Sequence, residues 1–122
     1  MDKEKISGIY CIENLINGKK YIGLSSNINK REKAHFNALN NYSHINKHLQ
    51  DAWNKYKEEN FKFYIIENCE STEQLKEREI YYINIYNTNN RLYGYNKTSG
   101  GDGVRDLSDE SREKISIGES LD

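Results

Sequence analysis

Two tripeptides, Gly8-Ile9-Tyr10 and Tyr21-Ile22-Gly23, flank an Asn17-Gly18 pair within the stretch SGIYCIENLINGKKYIGLSS. Ile and Tyr favour extended, half-buried backbone. Asn-Gly accepts the positive φ angles of a tight reversal, so GIYCIEN and KKYIGLS are predicted as the two strands of a β-hairpin. An isolated hairpin is marginal in water. The rest of the chain must therefore cover it, and its two phenols either pack a small sheet or face something chemical.

Ser25, Ser26 and Asn27 can cap a helix running through INKREKAHFNALN. Ile28, Arg31, His35 and Leu39 share one face of that helix, with an Arg and a His where a plain amphipathic helix carries Leu. A second helix is predicted from Ile45 to Glu58, burying Ile45, Leu49, Ala52, Trp53 and Tyr56. NFKFYIIEN reads as a third strand with Phe61, Phe63 and Ile65 on one side. Ser71 or Thr72 then opens a third helix, EQLKEREIYYINIYN, whose stripe of Leu75, Glu79, Tyr82, Ile83 and Tyr86 includes a carboxylate. From Asn87 the chain is rich in turn formers, with one sticky patch, LYGYN, and a short capped helix can start at Ser108.

A chain of 122 residues with 35% hydrophobic and 30% charged content makes one domain with a lean core. Ten tyrosines beside three phenylalanines and one tryptophan suit a thin core under a wet site, because a phenol packs like Phe and keeps a polar tip. No apolar run is long enough to span a bilayer, and MDKEKIS lacks the apolar stretch of a secretory signal, so an intracellular, cytoplasmic protein is expected. Cys11 and Cys69 show no metal-site or redox spacing and read as reduced thiols. The net charge of −1 does not by itself point to nucleic acid, although residues 1–60 are mildly basic.

Three positions resist a purely structural reading. Glu79 on an apolar stripe either reaches water, pairs with Arg78 or Lys76, or serves as a ligand, because burying a lone carboxylate costs several kcal/mol on the usual scale. Arg31 either snorkels along apolar surface or meets an anion. His35 is either a hydrogen-bonded structural group or a proton carrier, and His44 and His48 form an i, i+4 pair that can hold a metal or stand solvated at a helix start. Such a set, gathered over one sheet face with two tyrosines, contains what phosphodiester hydrolysis needs. A carboxylate holds a divalent cation, an arginine opposes charge on the pentavalent transition state, and a phenol or imidazole handles the attacking water.

Gly8-Ile9-Tyr10 and Tyr21-Ile22-Gly23, with Arg31, His35, His44 in YSHINKHLQDAW, Glu79 in KEREIYYI and Asn96 in GYN, resemble the signature motifs of the GIY-YIG nucleases, in particular the phage and mobile-intron homing endonucleases. The resemblance runs from about Ile6 to Gly101, implying a catalytic domain over residues 1–101 and a polar tail over 102–122. It implies an α+β fold, a small three-stranded antiparallel sheet flanked by about three helices. It further implies that Glu79 binds one Mg²⁺ or Mn²⁺ ion and that Arg31 contacts the scissile phosphate. By the same resemblance Tyr10 and Tyr21 line the site, one of them as general base or water-positioner. His35 and His44 assist with proton transfer or phosphate contact, Asn96 orders the pocket, and Lys20 touches phosphate or is solvated.

The expected function is metal-dependent DNA cleavage of homing type by a monomer or a transient dimer on DNA, in a phage or bacterial setting. Restriction or repair nucleases on the same scaffold, and a catalytically silent nucleic-acid-binding module, are the competing readings. LSDESREKIS in the tail resembles the opening of a nuclease-associated DNA-binding motif.

Overall fold

The computed structural model describes residues 5–98. The tail, with the helix and DNA-binding motif expected there, lies outside the described residues. The order is β1 (Gly8–Asn14), β2 (Lys20–Ser25), α1 (Ile28–Asn40), α2 (Lys47–Tyr56), a 3₁₀ turn (Glu58–Asn60), β3 (Phe61–Asn68) and α3 (Thr72–Tyr86). The strands form one antiparallel sheet in the order β2-β1-β3, giving the expected α+β architecture. No helix among the described residues is long and apolar enough to cross a membrane.

The hairpin forms, but its connection is wider than a two-residue turn. Asn14 N–H donates to the Lys19 carbonyl and Gly18 N–H to the Asn14 carbonyl, and of the Asn17-Gly18 pair only Gly18, at φ 78°, has positive φ. Asn17 instead uses its side-chain oxygen to accept from Lys19 N–H, the local Asx bond that makes Asn a turn residue.

β1 is the central strand and is buried along almost its whole length. Alternation sends Tyr10 and Ile12 to one face, where they pack with Ile28, Leu39, Leu49 and Trp53 from α1 and α2. Ile9 and Cys11 go to the other face, against Leu75 and Ile83 of α3. Each Ile or Leu buried in this way contributes on the order of 1.5–3 kcal/mol. Cys11 and Cys69 are both free and buried, and burial pushes the Cys11 thiol up to about 11, so neither is a reactive thiolate.

Two expectations fail at element ends. Ile45 does not belong to the buried face of the second helix: it is 92% exposed, because Asn46 caps that helix with its side chain on Leu49 N–H and stops it short. The helix also ends at Tyr56, since Lys57 takes φ 76°. Phe61, Phe63 and Ile65 share one side as expected, opposite Asn14, Ile12 and Tyr10 of β1, and Ile65 is 40% exposed on the edge strand.

Candidate active site

Tyr10 stands opposite Gly23 in the hairpin register, and its phenol lies where a Cβ on residue 23 would be. The glycine of the second tripeptide thus makes room for the tyrosine of the first, and this accounts for both motifs sharing one hairpin. Gly8 does the same for β3, since a Cβ there would overlap the Glu67 carbonyl. Gly23→Ala is expected to push the Tyr10 ring aside. Overpacking of this kind costs about 1–3 kcal/mol, and chemical-denaturation midpoints of the variant and wild type measure it.

A chain of hydrogen bonds starts at the Tyr10 phenol. Its hydroxyl lies 2.6 Å from His35 Nε2, and His35 Nδ1 lies 2.7 Å from His44 Nε2. The Asn46 backbone N–H donates to His44 Nδ1 at 3.0 Å. That last bond fixes the direction of the others. With Nδ1 accepting, a neutral His44 carries its proton on Nε2 and donates it to His35. His35 then carries its own proton on Nε2 and donates to the Tyr10 oxygen, so the phenolic proton of Tyr10 is turned away from the histidines.

Burial sets the electrostatics of this chain. It pushes the Tyr10 phenol well above its usual range; Tyr21 adds to the shift, Arg31 opposes it, and Glu79 adds again. His35, buried at 7% exposure, is held down to about 3 by burial first, then by His44 and Arg31, and burial lowers His44 too. Both imidazoles are therefore neutral at pH 7.

A histidine whose folded pKa lies below its unfolded value of 6.5 stabilises the fold fully above that pH. That stability is lost as pH falls from 6.5 toward 3, because the unfolded chain takes the proton first. Lowering the pH to 5 is expected to cost about 2 kcal/mol through His35 alone. Thermal melts at both pH values should show a smaller loss for His35→Gln than for wild type.

Tyr10, Tyr21, Arg31, His35, His44 and Glu79 gather around this chain. Tyr21 is half-buried and presents its ring edge-to-face to His35 at 5.6 Å and to His44 at 6.4 Å between centroids. Arg31 on α1 and Glu79 on α3 both act on the Tyr10 phenol, and Glu79 is 5% exposed. Arg78 is engaged elsewhere, on Glu67 at 2.8 Å. Asn96 works at the free edge of β2, where its side chain accepts from Ile22 N–H and donates to the Ile22 carbonyl at 2.8 Å each, in the manner of a neighbouring strand.

His44 and His48 do not face each other: His48 packs against Tyr95. Lys20 turns away from Tyr21, with its ammonium 3.9 Å from Glu13 and 5.2 Å from the Tyr86 ring centroid. Three supporting residues escaped the sequence reading. Asn46 orients His44, Gln50 accepts from the His44 backbone N–H at 3.0 Å, and Tyr95 is a buried core residue whose carbonyl accepts from Asn46 Nδ2. An Asn directly before a helix is a capping signal and could have revealed the first.

Residues 6–96 match the family model of the GIY-YIG catalytic domain. Intron-associated endonuclease 1 of Enterobacteria phage T4 is 36% identical over 91 residues, covering 74% of this chain. The chain matches only 36% of that relative's length. Among solved structures, a mutant form of the catalytic domain of intron endonuclease I-TevI aligns with a TM-score of 0.71 at 32% identity, covering 78% of this chain and 96% of that one. A second structure, of the catalytic domain of homing endonuclease I-TevI, gives 0.67 at 32% identity, covering 74% and 98%. With the two motifs joined on one hairpin and the domain matched along most of its length, this chain belongs to the GIY-YIG family.

Proposed function

We propose that this domain is a divalent-metal-dependent endonuclease that hydrolyses DNA phosphodiester bonds. What supports this reading is the buried Tyr10–His35 hydrogen bond, with Arg31 and Glu79 both acting on the same phenol, in a chain whose solved relatives are endonuclease catalytic domains. A homing-type role is favoured by the intron-associated relative.

Among the described residues no cluster of three or more His, Cys, Asp or Glu could hold an ion. That donor set does not fit a zinc closed in by protein ligands. A single buried carboxylate, Glu79, does fit Mg²⁺ or Mn²⁺, which keep several waters and complete their shell on a substrate phosphate. Bound there, the ion supplies Lewis-acid polarisation of a phosphoryl oxygen and neutralises charge on the leaving oxygen.

The chain's own residues supply the rest. Arg31, half-buried on α1, opposes the charge that builds on the scissile phosphate. Tyr10 acts as the general base. Its own proton, which points away from the histidines, first passes to solvent; the His35 N–H and the Arg31 guanidinium favour the resulting phenolate against burial, and that phenolate takes the proton of the water attacking phosphorus. His44 and Asn46 hold His35 in the donating tautomer. Tyr21 forms a wall of the site, and Asn96 holds β2 in place beneath it. A supercoiled plasmid incubated with the protein should be nicked or linearised with Mg²⁺ or Mn²⁺ and left intact with EDTA; cleavage in EDTA would refute the metal requirement.

A further inference from the structure

We propose that Lys19, Arg91 and Lys97, grouped around His48 and Tyr95, form a track that seats the phosphate backbone of the DNA beside the cleavage site. This surface presupposes the nuclease function proposed above. It is built from three separate stretches of chain: the hairpin connection, the first turn of α2 and the segment after α3.

Tyr95 is the anchor. The Lys19 ammonium lies 6.0 Å from its ring centroid, and the His48 ring packs edge-to-face on it at 4.8 Å. The phenol itself is fixed, since its hydroxyl accepts from Asn14 Nδ2 at 3.0 Å, its carbonyl from Asn46 Nδ2 at 2.7 Å, and its N–H donates to the Lys20 carbonyl at 2.9 Å. Arg91 lies in the turn from Asn90 to Gly94, whose Gly94 bridges to Lys20 of β2, and Lys97 follows Asn96, whose side chain is bonded to Ile22, so both exposed cations flank Tyr95 along the chain. His48 is held below its usual range by burial first and then by Arg91, Lys19 and Lys97, with Asp51 opposing.

Asp51 already faces another cation, the Lys47 ammonium, at 3.4 Å. Among the described residues, Lys19, Arg91 and Lys97 form no salt bridge with a carboxylate. Cations brought together from distant stretches of a chain with net charge −1 repel one another and attract a polyanion. Asn46 joins this surface to the site, because its backbone N–H orients His44 while its side chain holds the Tyr95 carbonyl. A strand bound along the cations is thereby tied, through Asn46, to the His44 end of the His44–His35–Tyr10 chain. The partner chemistry is phosphodiester backbone, read without regard to base sequence.

The test is binding of a short fluorescein-labelled duplex across a salt series by fluorescence anisotropy, in a Glu79→Gln background so that no cleavage intervenes. Removing three phosphate contacts with Lys19→Ala, Arg91→Ala and Lys97→Ala should flatten the slope of log K against log salt by about 2 to 3. The charge-keeping pair Lys19→Arg and Lys97→Arg should retain the slope. Three exposed lysines elsewhere, Lys55, Lys62 and Lys76, serve as the control when changed to Ala.

An unchanged slope in the first variant, or an equal change in the control, overturns the track. Plasmid nicking by the unmutated chain, run in parallel, separates the two ideas. Nicking with an unchanged slope removes the track alone, and a flattened slope without nicking keeps the track while removing the nuclease reading.

Discussion

Tyr10→Phe is expected to lower single-turnover DNA cleavage by about 10² to 10⁴-fold, the range for losing a proton-transferring side chain. The variant keeps the ring that stacks on Phe63 at 4.9 Å, so the core around it stays filled. It removes the oxygen that accepts from His35, leaving a buried N–H without its partner at a cost of about 1–3 kcal/mol. Activity should therefore collapse while the fold is only moderately weakened. Tyr21→Phe is the contrasting case: it keeps the ring edge that meets His35, and its loss should be the smaller of the two. Comparable losses for both phenols would move the base from Tyr10 to Tyr21.

Glu79→Gln should reduce cleavage on the order of 10³-fold, since a bound ion is worth several kcal/mol of transition-state stabilisation. Glutamine keeps the volume of the side chain on α3 and removes a charge from a position that is 5% exposed. A volume-conserving swap that keeps one side-chain oxygen is well tolerated, so the melting temperature should change little. A carboxylate retained for structure predicts instead a loss of about 3–5 kcal/mol because its partner is left buried and unpaired. Melting curves of both proteins alongside the cleavage rates tell the two apart.

Much of the fold was legible because local chemistry dictates it. The capping side chains of Asn27 and Ser71 start α1 and α3 where the sequence put them, and the Ile28, His35 and Leu39 stripe is buried as its spacing requires. Periodicity misled at Ile45, which lies four residues before Leu49 on the same extrapolated stripe. The Asn46 cap decides instead, because a satisfied N-cap ends the helix whatever precedes it.

The buried role of Tyr95 was not legible at all. It depends on Asn14, 81 residues earlier, and no window of sequence contains both. The candidate site followed the same division. The identities of Tyr10, His35, His44 and Glu79 could be read from resemblance to the family. Their hydrogen-bonding direction could not, because it is fixed by one backbone N–H at Asn46 and a contact between residues 25 apart. The LYGYN patch was half right: Leu92 and Tyr93 are exposed, while Tyr95 is core and Asn96 substitutes for a missing strand partner.

The most direct measurement is plasmid nicking by wild type and Glu79→Gln side by side, in Mg²⁺ and in EDTA, with circular dichroism confirming that both are folded. Nicking that requires the ion and disappears in a folded Glu79→Gln protein is the predicted result. Nicking that persists in that variant, or a folded wild-type chain that leaves the plasmid intact in Mg²⁺ at low salt, would contradict the assignment of Glu79 and Tyr10 to phosphodiester hydrolysis.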